Sequence, residues 1–254
     1  MKGADMEMEK YLKATPLLDF NNPRLVRLIE ERTWGVLPEY ERIGAIYDFV
    51  WDEILLGYNK SDAIPATQVL QDGYGQCNTK SILLMALLRK CGIACRLHGA
   101  TVHKRLQKGL ITGIAYWLAP REIIHSWVDV FHDGKWISLE GFILDSGYLK
   151  ALQHRFAEAG DTFCGYAVAT SRFKSPPVAW CGKDTAIQKD AIVGDLGVFD
   201  TPDDFFTRYG ANLSGLKALL YKHIFRDRIN RTVVNIRNFD SDSADRKQRN
   251  QPAC

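Results

Sequence analysis

Nowhere in its 254 residues does this chain reach the roughly 18 uninterrupted apolar residues that a membrane-spanning helix needs, so no span is expected. The first nine residues, Met-Lys-Gly-Ala-Asp-Met-Glu-Met-Glu, lack the apolar centre of a secretory signal, which makes a cytoplasmic location the expectation. Charge of either sign is not in excess: 33 Lys and Arg against 30 Asp and Glu leave +3, too little by itself to imply a polyanionic partner. Metal signals are missing as well. Cys91-x3-Cys95-x2-His98 has no second ligand pair at a usual spacing. Asp200-Thr-Pro-Asp203-Asp204 lacks the ligand pattern of a calcium loop and reads as a helix N-cap. No metal or cofactor is expected, and no internal repeat is visible.

What is present is the composition of an ordinary globular protein, 46% hydrophobic and 25% charged, sized for one large domain or one domain with an extension. Its six cysteines, without a secretory signal, are expected as reduced thiols rather than a disulfide framework. From Glu39, apolar residues at Ile43, Ile46, Tyr47, Val50 and Ile54 follow helical spacing, between Pro38 and Gly57. A second helix is expected from Cys77 or Asn78 to Lys90. It is apolar almost all round, as a core helix is, and ends on Arg89, Lys90 and Gly92. Strand-like runs follow at 93–102, 111–118, 123–131 and 135–142. A helix-rich beginning followed by antiparallel strands is an α+β arrangement. Beyond it a helix is expected at 148–159, an irregular stretch around Gly160 to Gly182, a short helix at 202–209 and a long basic helix at 214–237.

Cys77 would sit at the start of the apolar helix, where unpaired backbone N–H groups and the positive dipole end favour a thiolate. Taken alone it reads more readily as a buried structural thiol. Gly73 and Gly75 would permit a sharp turn and close approach of a substrate. A nucleophilic cysteine needs a base, and the base an orienting partner. Asp133-Gly134 between His125–Phe131 and Lys135–Glu140 is a strong hairpin signal. A two-residue turn there pairs His132 with Lys135, Phe131 with Trp136 and Trp127 with Glu140. Alternation then sets His125, Trp127, Asp129 and Phe131 on one face with Trp136, Ser138 and Glu140. His125 and Glu140 become diagonal neighbours, roughly 7–8 Å apart at Cα, within reach of a glutamate side chain. Asp129 is a rival orienter on the same face. Of Trp34, Trp51, Trp117, Trp127, Trp136 and Trp180, most are expected in the core, with Trp127 the exception beside His125.

The blocks Gly73-Tyr-Gly-Gln-Cys77, Leu87-Leu-Arg-Lys-Cys-Gly-Ile-Ala-Cys-Arg96, His125-Ser-Trp-Val-Asp-Val130 and the carboxylate at 140 together resemble the transglutaminase-like superfamily, in a bacterial-type form, over residues 39–145. The resemblance implies a papain-like α+β fold with a central helix carrying the cysteine, packed on an antiparallel sheet. Position by position it implies Cys77 as nucleophile, His125 as base and Glu140 as third member, where the family more often has Asp. The implied chemistry is acyl transfer or hydrolysis at a peptide or glutamine carboxamide through a thioester. The partners are then a peptide or protein amide substrate and an amine acceptor where the thioester is not hydrolysed. The Cys77 N–H is the natural oxyanion donor. Gln76, or a group near Tyr58 and Asn59, is a candidate second donor, and Tyr74, Asn78 and Trp127 are candidate substrate contacts. The alternative is a non-catalytic binding module that keeps the fold.

The expected organisation is an N-terminal extension (1–38), a catalytic core (39–145), a helical elaboration packed on it (146–239) and a disordered tail (240–254). The elaboration's last helix carries Lys217, Lys222, Arg226, Arg228, Arg231 and Arg237, but also the apolar stripe Leu216, Leu219, Leu220, Ile224, Val233 and Ile236. Docking on the body with a solvated basic face is therefore expected, and no nucleic acid partner.

Overall fold

The computed structural model describes residues 8–212 and 225–249. Eight helices are described: α1 Pro23–Glu31, α2 Glu39–Asp48, α3 Ala66–Asp72, α4 Cys77–Lys90, α5 Gly113–Leu118, α6 Ser146–Arg155, α7 Pro202–Tyr209 and α8 Arg226–Arg249. The strands are β1 Leu55–Leu56, β2 Tyr74–Gly75, β3 Cys95–His103, β4 Glu122–His132, β5 Lys135–Leu139, β6 Phe163–Gly165, β7 Val168–Thr170 and β8 Ile192–Phe199.

The central helix α4 is buried from Asn78 through Arg89, because almost every side chain on it is apolar. Ile82, Leu83, Leu84, Met85, Leu87 and Leu88 are fully covered, each contributing roughly 1.5–3 kcal/mol of burial. It packs against β3 and β4 of a four-stranded antiparallel sheet of order β5-β4-β3-β8. This is the α+β architecture the residue pattern implies: a cysteine-bearing central helix on an antiparallel sheet. The β4–β5 hairpin turns at Asp133 (φ 50°) and Gly134 (φ 74°), the left-handed pair of a type I′ turn. Its register pairs His132 with Lys135 and Phe131 with Trp136, as the turn length requires.

Two expectations change. Residues 113–118, expected within a strand, form α5. The preceding strand β3 has no free side to pair with them, since it is bordered by β4 on one side and β8 on the other. Lys104 Nζ, moreover, donates to the carbonyls of Tyr116 and Ala119 (both 3.1 Å) at the end of α5. Second, the stretch after residue 146 is not helical alone: it supplies the β6–β7 pair and β8, a strand of the central sheet.

The C-terminal helix α8 docks through Ile229, Val233 and Ile236, all buried. The Arg237 guanidinium clasps Asp145 through Nε (3.0 Å) and Nη2 (2.7 Å). Asn230 holds both backbone groups of Tyr58, accepting from its N–H (2.7 Å) and donating to its carbonyl (3.0 Å). Leu216, Lys217, Leu219, Leu220, Lys222 and Ile224 lie outside the described residues. The helical backbone continues past residue 240, where a disordered tail is expected, to Arg249. The sequence there spaces Asp242 from Arg246 and Asp245 from Arg249 by one helical turn, a pattern that favours helix. Residues 250–254 lie outside the description. Among the described residues no helix is long and apolar enough to cross a membrane.

Candidate active site

α4 begins with an unusual cap. Gln76, not Ser or Thr, precedes it: its side-chain oxygen accepts from Asn78 N–H (2.8 Å), and Thr79 Oγ1 accepts from Gln76 N–H (3.0 Å). Gly73 makes the preceding turn in the left-handed region (φ 69°). A Cβ on Gly75 would lie 2.7 Å from Thr79 Oγ1. The second glycine therefore admits the capping threonine, rather than a substrate.

The next residue along, Asn78, pins the helix start to β4 on both sides of His125. Its Nδ2 donates to the Ile124 carbonyl (3.4 Å) and its Oδ1 accepts from Ser126 Oγ (2.9 Å). One residue before this clasp, Cys77 is brought beside His125. Cys77 is half-buried, whereas His125 and Glu140 are fully buried. His125 Nε2 donates to Glu140 Oε1 (3.0 Å). The other carboxylate oxygen, Oε2, accepts from the backbone N–H groups of Ile187 (2.9 Å) and Gln188 (3.1 Å). Thr185 Oγ1 receives the Glu140 and Gly141 N–H groups (3.0 and 2.9 Å), so the backbone bearing the carboxylate is fixed as well. A small second core of Val102, Leu106, Ile123, Ala169 and Ala191 seals this side of the sheet.

With Nε2 taken by Glu140, Nδ1 is the nitrogen left for Cys77, and among the described residues it makes no other hydrogen bond. Burial pulls the imidazole pKa down, but Cys77 and then Glu140 outweigh it, and the value rises to about 10. A histidine held this way should stay protonated well above neutral pH. Titration of its ring nitrogens by NMR should give about 10 in the wild type, and Cys77→Ala should lower it, since Cys77 is the strongest raising influence. An unchanged value in that variant would show that sulfur and ring are not neighbours.

The remaining candidates separate. Trp127 lies 5.8 Å from the His125 ring, centroid to centroid, but stacks on His98 at 4.2 Å and donates Nε1 to Asp129 (3.2 Å). Asp129 also takes Ser138 Oγ (2.8 Å) and Arg96 Nε (3.3 Å), so it serves this outer cluster and is not the orienter of His125. Tyr74 packs its ring against Gly57; no contact of it with Cys77, His125 or Glu140 is found among the described residues. Asn78 is spent as the clasp. Gln76 turns its oxygen, not its amide N–H, towards the sulfur, at 3.0 Å from Cys77 Sγ. Trp117 is largely exposed and Trp34 is in the core.

Tyr58 is better placed than sequence spacing reveals. Its hydroxyl lies in the field of Cys77 and hydrogen-bonds the Gln107 side chain, and burial, followed by the Cys77 charge, raises its pKa. Asp62, Asn212 and the Thr185–Gln188 segment carry no motif that would flag them.

Residues 27–141 match the transglutaminase-like superfamily. No curated protein matches the chain. Among solved structures, a candidate cysteine protease from Cytophaga hutchinsonii is similar at 16% identity, with a TM-score of 0.42 over 55% of this chain and 43% of that one. This chain thus spans less than half the length of that protein.

Proposed function

The chain carries a transglutaminase-like core, and from that premise we propose that it is a cysteine-dependent enzyme performing acyl transfer or hydrolysis at an amide bond. One observation carries the reading: a buried histidine has one nitrogen tied to a buried carboxylate, and its other nitrogen is left for a cysteine at a helix start. In the reactive pair the proton resides on His125, and the Cys77 thiolate attacks the carbonyl carbon of a peptide or glutamine carboxamide. Negative charge builds on the carbonyl oxygen. The Cys77 backbone N–H at the first turn of α4 is one donor to it, and the Tyr58 hydroxyl is the second. The C–N bond then breaks as His125 returns the proton to the leaving nitrogen, which leaves a thioester on Cys77. Glu140 keeps the ring oriented and stabilises the imidazolium throughout. Water or an amine resolves the thioester.

The test compares wild type with Cys77→Ala on peptide, glutamine-donor and amine-acceptor libraries, read by mass spectrometry. Turnover by the wild type alone is expected. A hydrolysed product marks a hydrolase and a new amide marks a transamidase. Failure of the wild type to turn over any member would favour a non-catalytic binding module on the same fold.

A further inference from the structure

The hydrogen bonds beside Cys77 decide which end of the Gln76 amide meets the sulfur. Asn78 N–H donates to Gln76 Oε1 (2.8 Å), so that atom is an acceptor. Gln76 Nε2 donates to Asp62 Oδ1 (2.6 Å), so that atom is a donor. The two constraints agree, and the amide has one orientation. Its oxygen then also receives the Cys77 thiol proton, at 3.0 Å from Sγ.

Asp62, half-buried in the loop before α3, is itself held. The backbone N–H and the Nδ2 of Asn212 both donate to its Oδ2 (2.9 and 3.0 Å). Asn212 in turn accepts from Ile124 N–H (2.7 Å) and donates to the Ile124 carbonyl (3.3 Å), one residue before His125. The network closes on both halves of the site.

A thiolate has no proton to donate. Ionised sulfur would face a carbonyl oxygen here, whereas a reversed amide would offer it an N–H. Resting on the reading of Cys77 as nucleophile, we infer that Asp62 is a positioning residue for it: by locking the Gln76 amide, Asp62 presents an acceptor to the sulfur and so opposes ionisation of the thiol, against the pull of His125. His125 draws the same proton from the other side. The titratable groups facing Cys77 are thus His125 from β4, Asp62 from its loop, and Tyr58 from the loop after β1.

The experiment measures iodoacetamide alkylation of Cys77 on the full chain from acid to alkaline pH, with the labelled peptide identified by mass spectrometry. Wild type, Asp62→Asn, Gln76→Met and the double variant are compared. Asp62→Asn removes one of the two constraints on the amide, so that only the Asn78 N–H opposes its reversal, and Gln76→Met removes the acceptor while leaving Asp62 in place. Each should speed alkylation below neutral pH about three- to tenfold and move the acid limb to lower pH. The double variant should gain nothing beyond Gln76→Met, because no amide remains to lock.

An acid limb unmoved in Gln76→Met would overturn the proposal, even where Asp62→Asn does not fold. So would an Asp62→Asn effect that persists in full on the Gln76→Met background, since that would make Asp62 a distant charge and no lock. Wild-type Cys77 reacting no faster than the exposed Cys164 and Cys181 would instead fail the nucleophile reading itself, and this role with it.

Discussion

Glu140→Ala should lower the free energy of unfolding by about 3–5 kcal/mol and leave no measurable turnover. The carboxylate is fully buried, and both of its oxygens are used, one by His125 and the other by two backbone N–H groups. Removing it strands an imidazolium and two amide donors away from water, and each buried orphan costs about 1–3 kcal/mol, more for the charged one. Glu140→Gln separates the structural from the chemical part. It fills the same volume, but one of its two positions becomes an NH2 that meets either His125 Nε2–H or the Ile187 and Gln188 N–H groups. If the ring reverses its tautomer to accept from that NH2, Nδ1 carries the proton and can no longer take one from sulfur. The stability loss should then fall to about 1–3 kcal/mol, while turnover still drops by about 10²–10⁴. Urea unfolding and steady-state rates on the same preparations measure both. A Glu140→Ala protein as stable as wild type would remove the buried pair from the account altogether.

What the sequence revealed and what it hid follow the range of the interactions. The α4 helix, its cysteine and the Asp133-Gly134 turn are set by residues a few positions apart, so period and turn chemistry place His125 and Glu140 together. The third member is legible as a carboxylate, yet what makes it work is not. Its donors are main-chain groups of Ile187 and Gln188, which have no side-chain signature, and they arrive from beyond the matched core. Asp62 and Asn212 are equally silent. They sit in turn-rich segments far apart in sequence, and only folding shows that one holds the other. β8 escapes notice for a local reason: Gly194 and Gly197 interrupt it, and its pairing with β3 shifts register twice, so the alternation of a strand is broken. Segment 113–118 misleads in the opposite direction. Its apolar run suits a strand, but both sides of the preceding strand β3 are already taken, by β4 and β8.

Lys80, one turn into α4 from Cys77, gives the second large effect. Its ammonium is fully buried, and Nζ donates to the carbonyls of Trp51 (3.2 Å) and Ile143 (3.3 Å). Burial lowers its pKa to about 7; Asp145 and Asp52 oppose the shift, and Arg237 assists it. The folded protein therefore releases this proton above about pH 7, whereas the unfolded chain keeps it to about pH 10.4. Over that window the unfolded state binds more protons, so the Lys80 contribution makes the protein more stable as pH rises, by up to about 1.4 kcal/mol per unit. His125 has the opposite sign. Its folded pKa, about 10, exceeds an unfolded value near 6.5, so the stabilisation it gives is complete below that lower value and is lost as pH climbs through the upper one. The two slopes run against each other across nearly the same interval, and the wild-type stability curve conceals both. Lys80→Met exposes them. Measured by urea unfolding, the stability of wild type minus that of Lys80→Met should grow by about 3 kcal/mol over two pH units above neutrality. A difference that stays constant over that range would mean the lysine is protonated in the folded core, with its charge compensated by Asp145 and Asp52 after all.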